Sequence, residues 1–167
     1  MVWSSQSSTR RHAGFTLVEI MVVVVIIGLL CAIALPGFRM LTMRAKASAF
    51  QNDIRAITGV YSTYSLQNGR WPAEVSVGEV PAELADALPK NYARPTPIGG
   101  YYDYNNNVSA DGITAKASLM VVTAPDAPMS DDLDLLERID RMMDDGNLAT
   151  GTIRLGSTNC LVIILEP

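Results

Sequence analysis

Residues 15–38 constrain this chain more than any other feature: 24 positions that are apolar apart from Thr16, two glycines and a single carboxylate, Glu19. As a helix the run is about 36 Å long at 1.5 Å per residue, enough to cross a hydrocarbon core of about 30 Å. A cleavable secretory signal has an apolar stretch of about 7–15 residues closed by a small-x-small site. The run here is longer and closes on "ALPGF". The pattern predicts one membrane span near the amino terminus. Arg10 and Arg11 precede it and Arg39, Arg44 and Lys46 follow it, so charge alone does not orient it. Glu19 is the anomaly. A carboxylate at mid-span costs about 2.5–3.5 kcal/mol on insertion scales, and such residues are usually functional.

The junction is more specific. "AGFTLVEIMVVVVIIGLL" resembles the amino-terminal signature of type IV pilins and of the pseudopilins of type II secretion. The resemblance implies a leader, residues 1–14, removed after Gly14 by a prepilin peptidase, which also N-methylates the new terminus, Phe15. Glu19 is then fifth in the mature chain and Pro36 falls at position 22, where the family often has proline. The resemblance further implies an inner-membrane precursor with its head in the periplasm. Its partners would be identical or related subunits, joined in a periplasmic pseudopilus or a cell-surface pilus. In such a filament the Phe15 amine of one subunit would meet the Glu19 carboxylate of another. Apolar surface would supply adhesion and the charge pair would set the axial register, as one buried polar group does in coiled coils. Pro36 lacks an amide for the Ala32 carbonyl and weakens its helix locally, together with Gly28 and Gly37.

Past the span, Met43, Ala47, Phe50, Ile54, Ile57, Tyr61 and Tyr64 recur at alternating spacings of four and three. That is one face of a continuous helix, ending near Asn68 and Gly69 with Pro72 beyond. The expected organisation is a leader over 1–14, a transmembrane and filament-core helix over 15–38, an amphipathic stem over 39–68 and a head over 69–167. The head opens with a proline-rich connector holding a short helix over 82–88. "YYDYN" reads as a short strand, and "ITAKASLMVVT" alternates as a strand with one covered face. "TIRL" and "CLVIIL" suggest a closing hairpin around a turn at 156–159. A further helix starts at a Ser130 cap, stops at Gly146 and buries Leu135, Leu136, Ile139, Met142 and Met143. The fold class is α+β, a small antiparallel sheet packed on one long helix.

Charge and residue types exclude several functions. From residue 68 onward there are 7 basic and 15 acidic side chains, so the head gains no counterion-release energy from a nucleic acid and none is expected as partner. The sole histidine, His12, lies in the leader, which leaves the mature chain no histidine for acid–base work, and no enzyme is expected. Cys31 lies within the span and Cys160 near the end, so no disulfide between them is expected, and Cys160 reads as a small buried residue. Asp144 and Asp145 read as solvated surface. Asp103, Asn105 and Asn107 alternate as in the first half of a calcium loop, but Val108 stands where glycine is needed and Thr114 where the glutamate belongs. They compete with a plain polar β-turn, and calcium is the only cofactor to which any residues point. The chain lacks the carboxy-terminal cysteine pair of many adhesive pilins. Two other readings are a membrane-anchored periplasmic binding domain that never polymerises and a minor or DNA-uptake pilin.

Overall fold

The computed structural model describes residues 15–110, 112–156 and 160–167, with Ala110 described by its backbone alone. The elements in chain order are α1 (Leu17–Asn68), β1 (Tyr101–Ala110), β2 (Ile113–Val122), α2 (Leu133–Met143), β3 (Ile153–Leu155) and β4 (Leu161–Glu166). The four strands form one antiparallel sheet in the order β1-β2-β4-β3. The expected α+β fold is observed. The chain divides into two compact units, Met1–Met40 and Leu41–Pro167.

In the second unit, α1 supplies the spine. Ala47, Phe50, Ile54, Ile57 and Tyr61 are buried, and Met43 and Tyr64 pack against the same core. Their spacing of three and four keeps them on one helical face, and burial of that face is what stabilises the helix here. The core they join contains Tyr102 and Tyr104 of β1, Ala117, Leu119 and Val121 of β2, Leu161 and Ile163 of β4, and Leu135, Leu136 and Ile139 of α2. α1 ends as predicted: Gly69 takes a φ of +65° and donates its amide to the Ser65 carbonyl at 2.8 Å, a left-handed cap.

Several expectations need correction. β1 runs to Ala110 because it pairs with β2 along its length, from Tyr101–Val122 to Ala110–Ile113. The asparagine run therefore lies on a strand rather than in a β-turn. The helix expected over 82–88 is a single 3-10 turn, Ala82–Leu84. Pro81 and Pro89 bracket the segment, and the Ala87 and Leu88 amides both converge on the Leu84 carbonyl, which still buries Leu84 and Leu88. The cap of α2 is Asp132, whose Oδ1 accepts the Leu135 amide at 3.4 Å. Ser130 is instead tied to the connector through its amide, which donates to the Ile98 carbonyl at 2.7 Å. Met142 is exposed, while Met143 packs on the core. β3 and β4 form the expected antiparallel pair, and the turn at 157–159 lies outside the described residues. Cys160 is buried in a second small cluster with Ile113 and Val162.

One glycine fixes how the connector meets the loop after β2. Gly99 has a φ of +82°, and a Cβ there would overlap the Pro128 carbonyl. The close approach lets Gly100 donate to the Ala127 carbonyl at 2.8 Å, so the two segments share main-chain bonds instead of burying bare amides.

Candidate functional site

The first unit contains the described part of the segment expected to carry processing and assembly. Gly14 lies outside the described residues. Phe15 is the first described residue and is 83% exposed. From Leu17 to Leu41 no large apolar side chain is buried, and Ile33 reaches 79% exposure. The helix is long and apolar enough to cross a membrane. Such a surface is stable only in lipid or against other apolar helices, because exposed apolar area costs about 25 cal/mol per Å² in water. α1 continues through Pro36 as one helix.

The first helical turn shows what holds Glu19. The amide and the hydroxyl of Thr16 both donate to Glu19 Oε2 at 2.8 Å, and the Glu19 amide donates to Thr16 Oγ1 at 3.3 Å. This is a reciprocal capping box: each side chain satisfies the other's backbone donor at a helix start that otherwise leaves four amides unpaired. The carboxylate also sits where the positive end of the helix dipole favours it. Both donors fall on Oε2, and among the described residues Oε1 accepts none. Thr16 is the residue that sequence reasoning missed. Its signal was present as the T-x-x-E spacing that opens an apolar run, but Glu19 was weighed only as a charge.

In the head, Asp103, Asn105 and Asn107 occupy alternate positions of β1, Asp103 and Asn105 half-buried and opposite in phase to the buried Tyr102 and Tyr104, Asn107 exposed with a φ of +53°. Asn105 Nδ2 donates to Asp103 Oδ2 at 2.7 Å and to Met120 Sδ at 3.3 Å. Burial raises the Asp103 carboxyl above its ordinary value, the Asn105 amide opposes this, and the charge of Glu74 adds to it. Alternate residues on a strand are about 6.6 Å apart, so all three would not reach one ion without bending β1.

Asp144 and Asp145 are not simple solvated surface. Asp144 Oδ2 accepts the Thr152 amide and, at 3.0 Å, the Ile153 amide, which ties the end of α2 to the start of β3. Asp145 accepts the Asn147 amide at 2.9 Å and the Thr150 hydroxyl at 2.7 Å. Gly151, with a φ of +73°, is the only residue type that fits against the Asp144 carboxylate. Asp140, one turn earlier on α2, is fully buried, and one of its oxygens lies within 4.8 Å of a carboxylate oxygen of each neighbour.

The amino-terminal sequence matches that of known proteins. Residues 9–35 match the family described as "Prokaryotic N-terminal methylation motif". The chain is 35% identical over 105 residues to the type II secretion system core protein G of Pseudomonas aeruginosa, covering 57% of this chain and 74% of that one. It is 35% identical over 92 residues to the protein of the same name from Klebsiella pneumoniae, covering 55% of this chain and 64% of that one. A type IV major pilin, PilE1 of Neisseria gonorrhoeae, is 39% identical over 59 residues, covering 35% and 33%. The chain therefore spans under two thirds of the second relative and a third of the pilin. The apolar first half of α1, the capped Glu19, the sheet-bearing head and these relatives agree: the chain belongs to the family of type II secretion pseudopilins and type IV pilins.

Proposed function

We propose that this chain is a filament subunit, made as an inner-membrane precursor, cut after Gly14 and methylated at Phe15. Residues 15–38 anchor it and then enter the filament core, residues 39–68 carry the stem into the head, and residues 69–167 form the periplasmic head. The observation that carries this reading is the bare apolar surface of α1 from Leu17 to Leu41, interrupted only by a capped carboxylate at its start and Arg39. In the membrane the capping box offsets part of the cost of Glu19, since two donors already meet Oε2. In the filament, Oε1 accepts the Phe15 amine of a neighbour. Pro36 leaves the Ala32 carbonyl without its helical donor, a weak point at which the helix can bend as subunits pack. The chain catalyses nothing: its work is adhesion and register, with the prepilin peptidase as the enzyme it meets.

Of the two filament types, a secretion pseudopilus is favoured. The matches to the Pseudomonas and Klebsiella secretion proteins run over 105 and 92 residues, whereas the match to the gonococcal pilin runs over 59. Intact mass of protein from cells containing a prepilin peptidase tests the reading. The expected species starts at methylated Phe15 and has 153 residues, 167 less the 14 of the leader. A mature protein that retains residues 1–14, or one cut beyond Pro36, would contradict it.

A further inference from the structure

The last turn of α2, where the chain leads on to β3, contains a buried carboxyl group that the assembly reading does not use. Asp140 has no exposed surface, and among the described residues neither of its side-chain oxygens has a hydrogen-bond partner. It faces Asp144 and Asp145, with one oxygen from each of the three inside a 4.8 Å cluster. We propose that this trio holds one proton, carried by Asp140, and that the proton locks the α2–β3 connection in mildly acidic medium.

The neighbours leave Asp140 little alternative. Asp144 and Asp145 are already committed as acceptors to Thr152, Ile153, Asn147 and Thr150. Ionised, Asp140 would be a third charge beside them, buried and unpaired. Protonated, it becomes a donor directed at acceptors that keep their loop bonds. A divalent cation is the weaker occupant, because it would compete with amide and hydroxyl donors already seated on those oxygens. The amides of Gly146 and Asn147 face Asp140 and favour its ionised form, but neither closes a hydrogen bond with it. Other charges around the trio are engaged elsewhere. Arg154 of β3 acts on Asp145 and donates to the Gly151 carbonyl at 2.9 Å, and Arg141 pairs with Glu137 at 3.5 Å. From α1, Gln51 donates to the Met142 carbonyl at 3.0 Å, and Arg55 borders the same groove as Met142 and Met143.

Burial, reinforced by the charges of Asp145 and Asp144, pushes the Asp140 carboxyl up to about 6. The folded head therefore binds this proton more tightly than the unfolded chain does. Its stabilisation is complete below the ordinary carboxylate range, about 4, and is lost as pH rises through about 6. Asp103 shifts in the same direction, so the difference between variants isolates Asp140.

The test is thermal unfolding of the full chain in detergent, followed by near-ultraviolet circular dichroism of the buried tyrosines. It compares about pH 5 with about pH 7.5, each with chelator or with calcium. Wild type should melt several degrees lower at the higher pH. Asp140→Asn, whose amide donates as the protonated acid does, should narrow that gap by raising the higher-pH value. Asp145→Asn, at an exposed position, should narrow it too by removing a like charge, and it carries the test if Asp140→Asn does not fold. Calcium should change nothing. A gap left intact by the variants would overturn the proposal. So would a calcium-induced rise in wild type at the higher pH that Asp140→Asn abolishes, which would make the trio a cation site.

Discussion

Replacing Glu19 by alanine should abolish filament formation while leaving cleavage after Gly14 and membrane insertion intact. In the filament each Phe15 amine would then be buried without its carboxylate. Breaking a buried pair in this way costs about 3–5 kcal/mol, and each 1.4 kcal/mol is a factor of ten in an association constant. Every subunit contact repeats that loss, so sheared filament should fall below detection. Glu19→Gln keeps the shape and loses the charge, and should be nearly as damaging. The capping box adds a second arm. Thr16→Val removes the hydroxyl that pairs with Glu19, at a cost of about 1 kcal/mol for a lost cap, but it leaves the carboxylate. It should reduce filament yield without abolishing it. A processing blot beside the shear fraction separates assembly from maturation. If Thr16→Val were as severe as Glu19→Ala, Glu19 would be acting as a helix cap and not as a charge partner between subunits.

Replacing Tyr61 by alanine should be among the most destabilising single changes in the head. Its ring lies 4.4 Å from that of Tyr104, and its hydroxyl is 3.0 Å from the Tyr92 hydroxyl. Tyr92 in turn stacks on Tyr102 at 5.7 Å, and Tyr102 on Phe50 at 6.3 Å. These rings join α1 to the connector and to β1, and all five are buried. Loss of a buried aromatic costs about 3–5 kcal/mol, a large share of the 5–15 kcal/mol typical of a domain. Tyr61→Phe keeps the ring but leaves the Tyr92 hydroxyl buried without this partner, for about 1–3 kcal/mol. Chemical denaturation of the full chain in detergent should rank wild type above Phe and Phe above Ala. Equal midpoints for all three would place the α1 stripe outside the core and overturn the packing described here.

What the sequence made legible is what local periodicity encodes. The stripe from Met43 to Tyr64 follows the helical repeat, and the outcome is a buried face at Ala47, Phe50, Ile54, Ile57 and Tyr61. The alternation from Ile113 to Val121 was readable for the same reason, as was the stop at Gly69, where a single residue supplies both the left-handed conformation and the last amide. The misses have a different origin. β1 is long because β2 pairs with it, and no residue of "NNNVSA" announces a partner that lies across a turn. Asp132 caps α2 in place of Ser130, whose hydroxyl accepts the Asp132 amide at 3.3 Å ahead of the helix and whose own amide is held by the Ile98 carbonyl, a contact 32 residues away. Asp144 and Asp145 looked solvated because adjacent charges usually are. Their burden of loop amides depends on where Thr152 and Ile153 return. At the amino terminus the capping box was legible and overlooked, because the same two residues also belong to the processing signature.

The claim that organises the account is that Glu19 of one subunit meets the Phe15 amine of another. Filaments assembled from two populations, one carrying ¹⁵N-labelled phenylalanine and the other ¹³C-labelled glutamate, test it directly. Solid-state magnetisation transfer between the Phe15 nitrogen and the Glu19 side-chain carboxyl carbon can arise in such a mixture only across a subunit boundary. The account predicts transfer at hydrogen-bond range, about 3–4 Å between nitrogen and carbon. Well-ordered filaments that show no transfer between the two populations, with Glu19 still bonded to its own Thr16 alone, would contradict it.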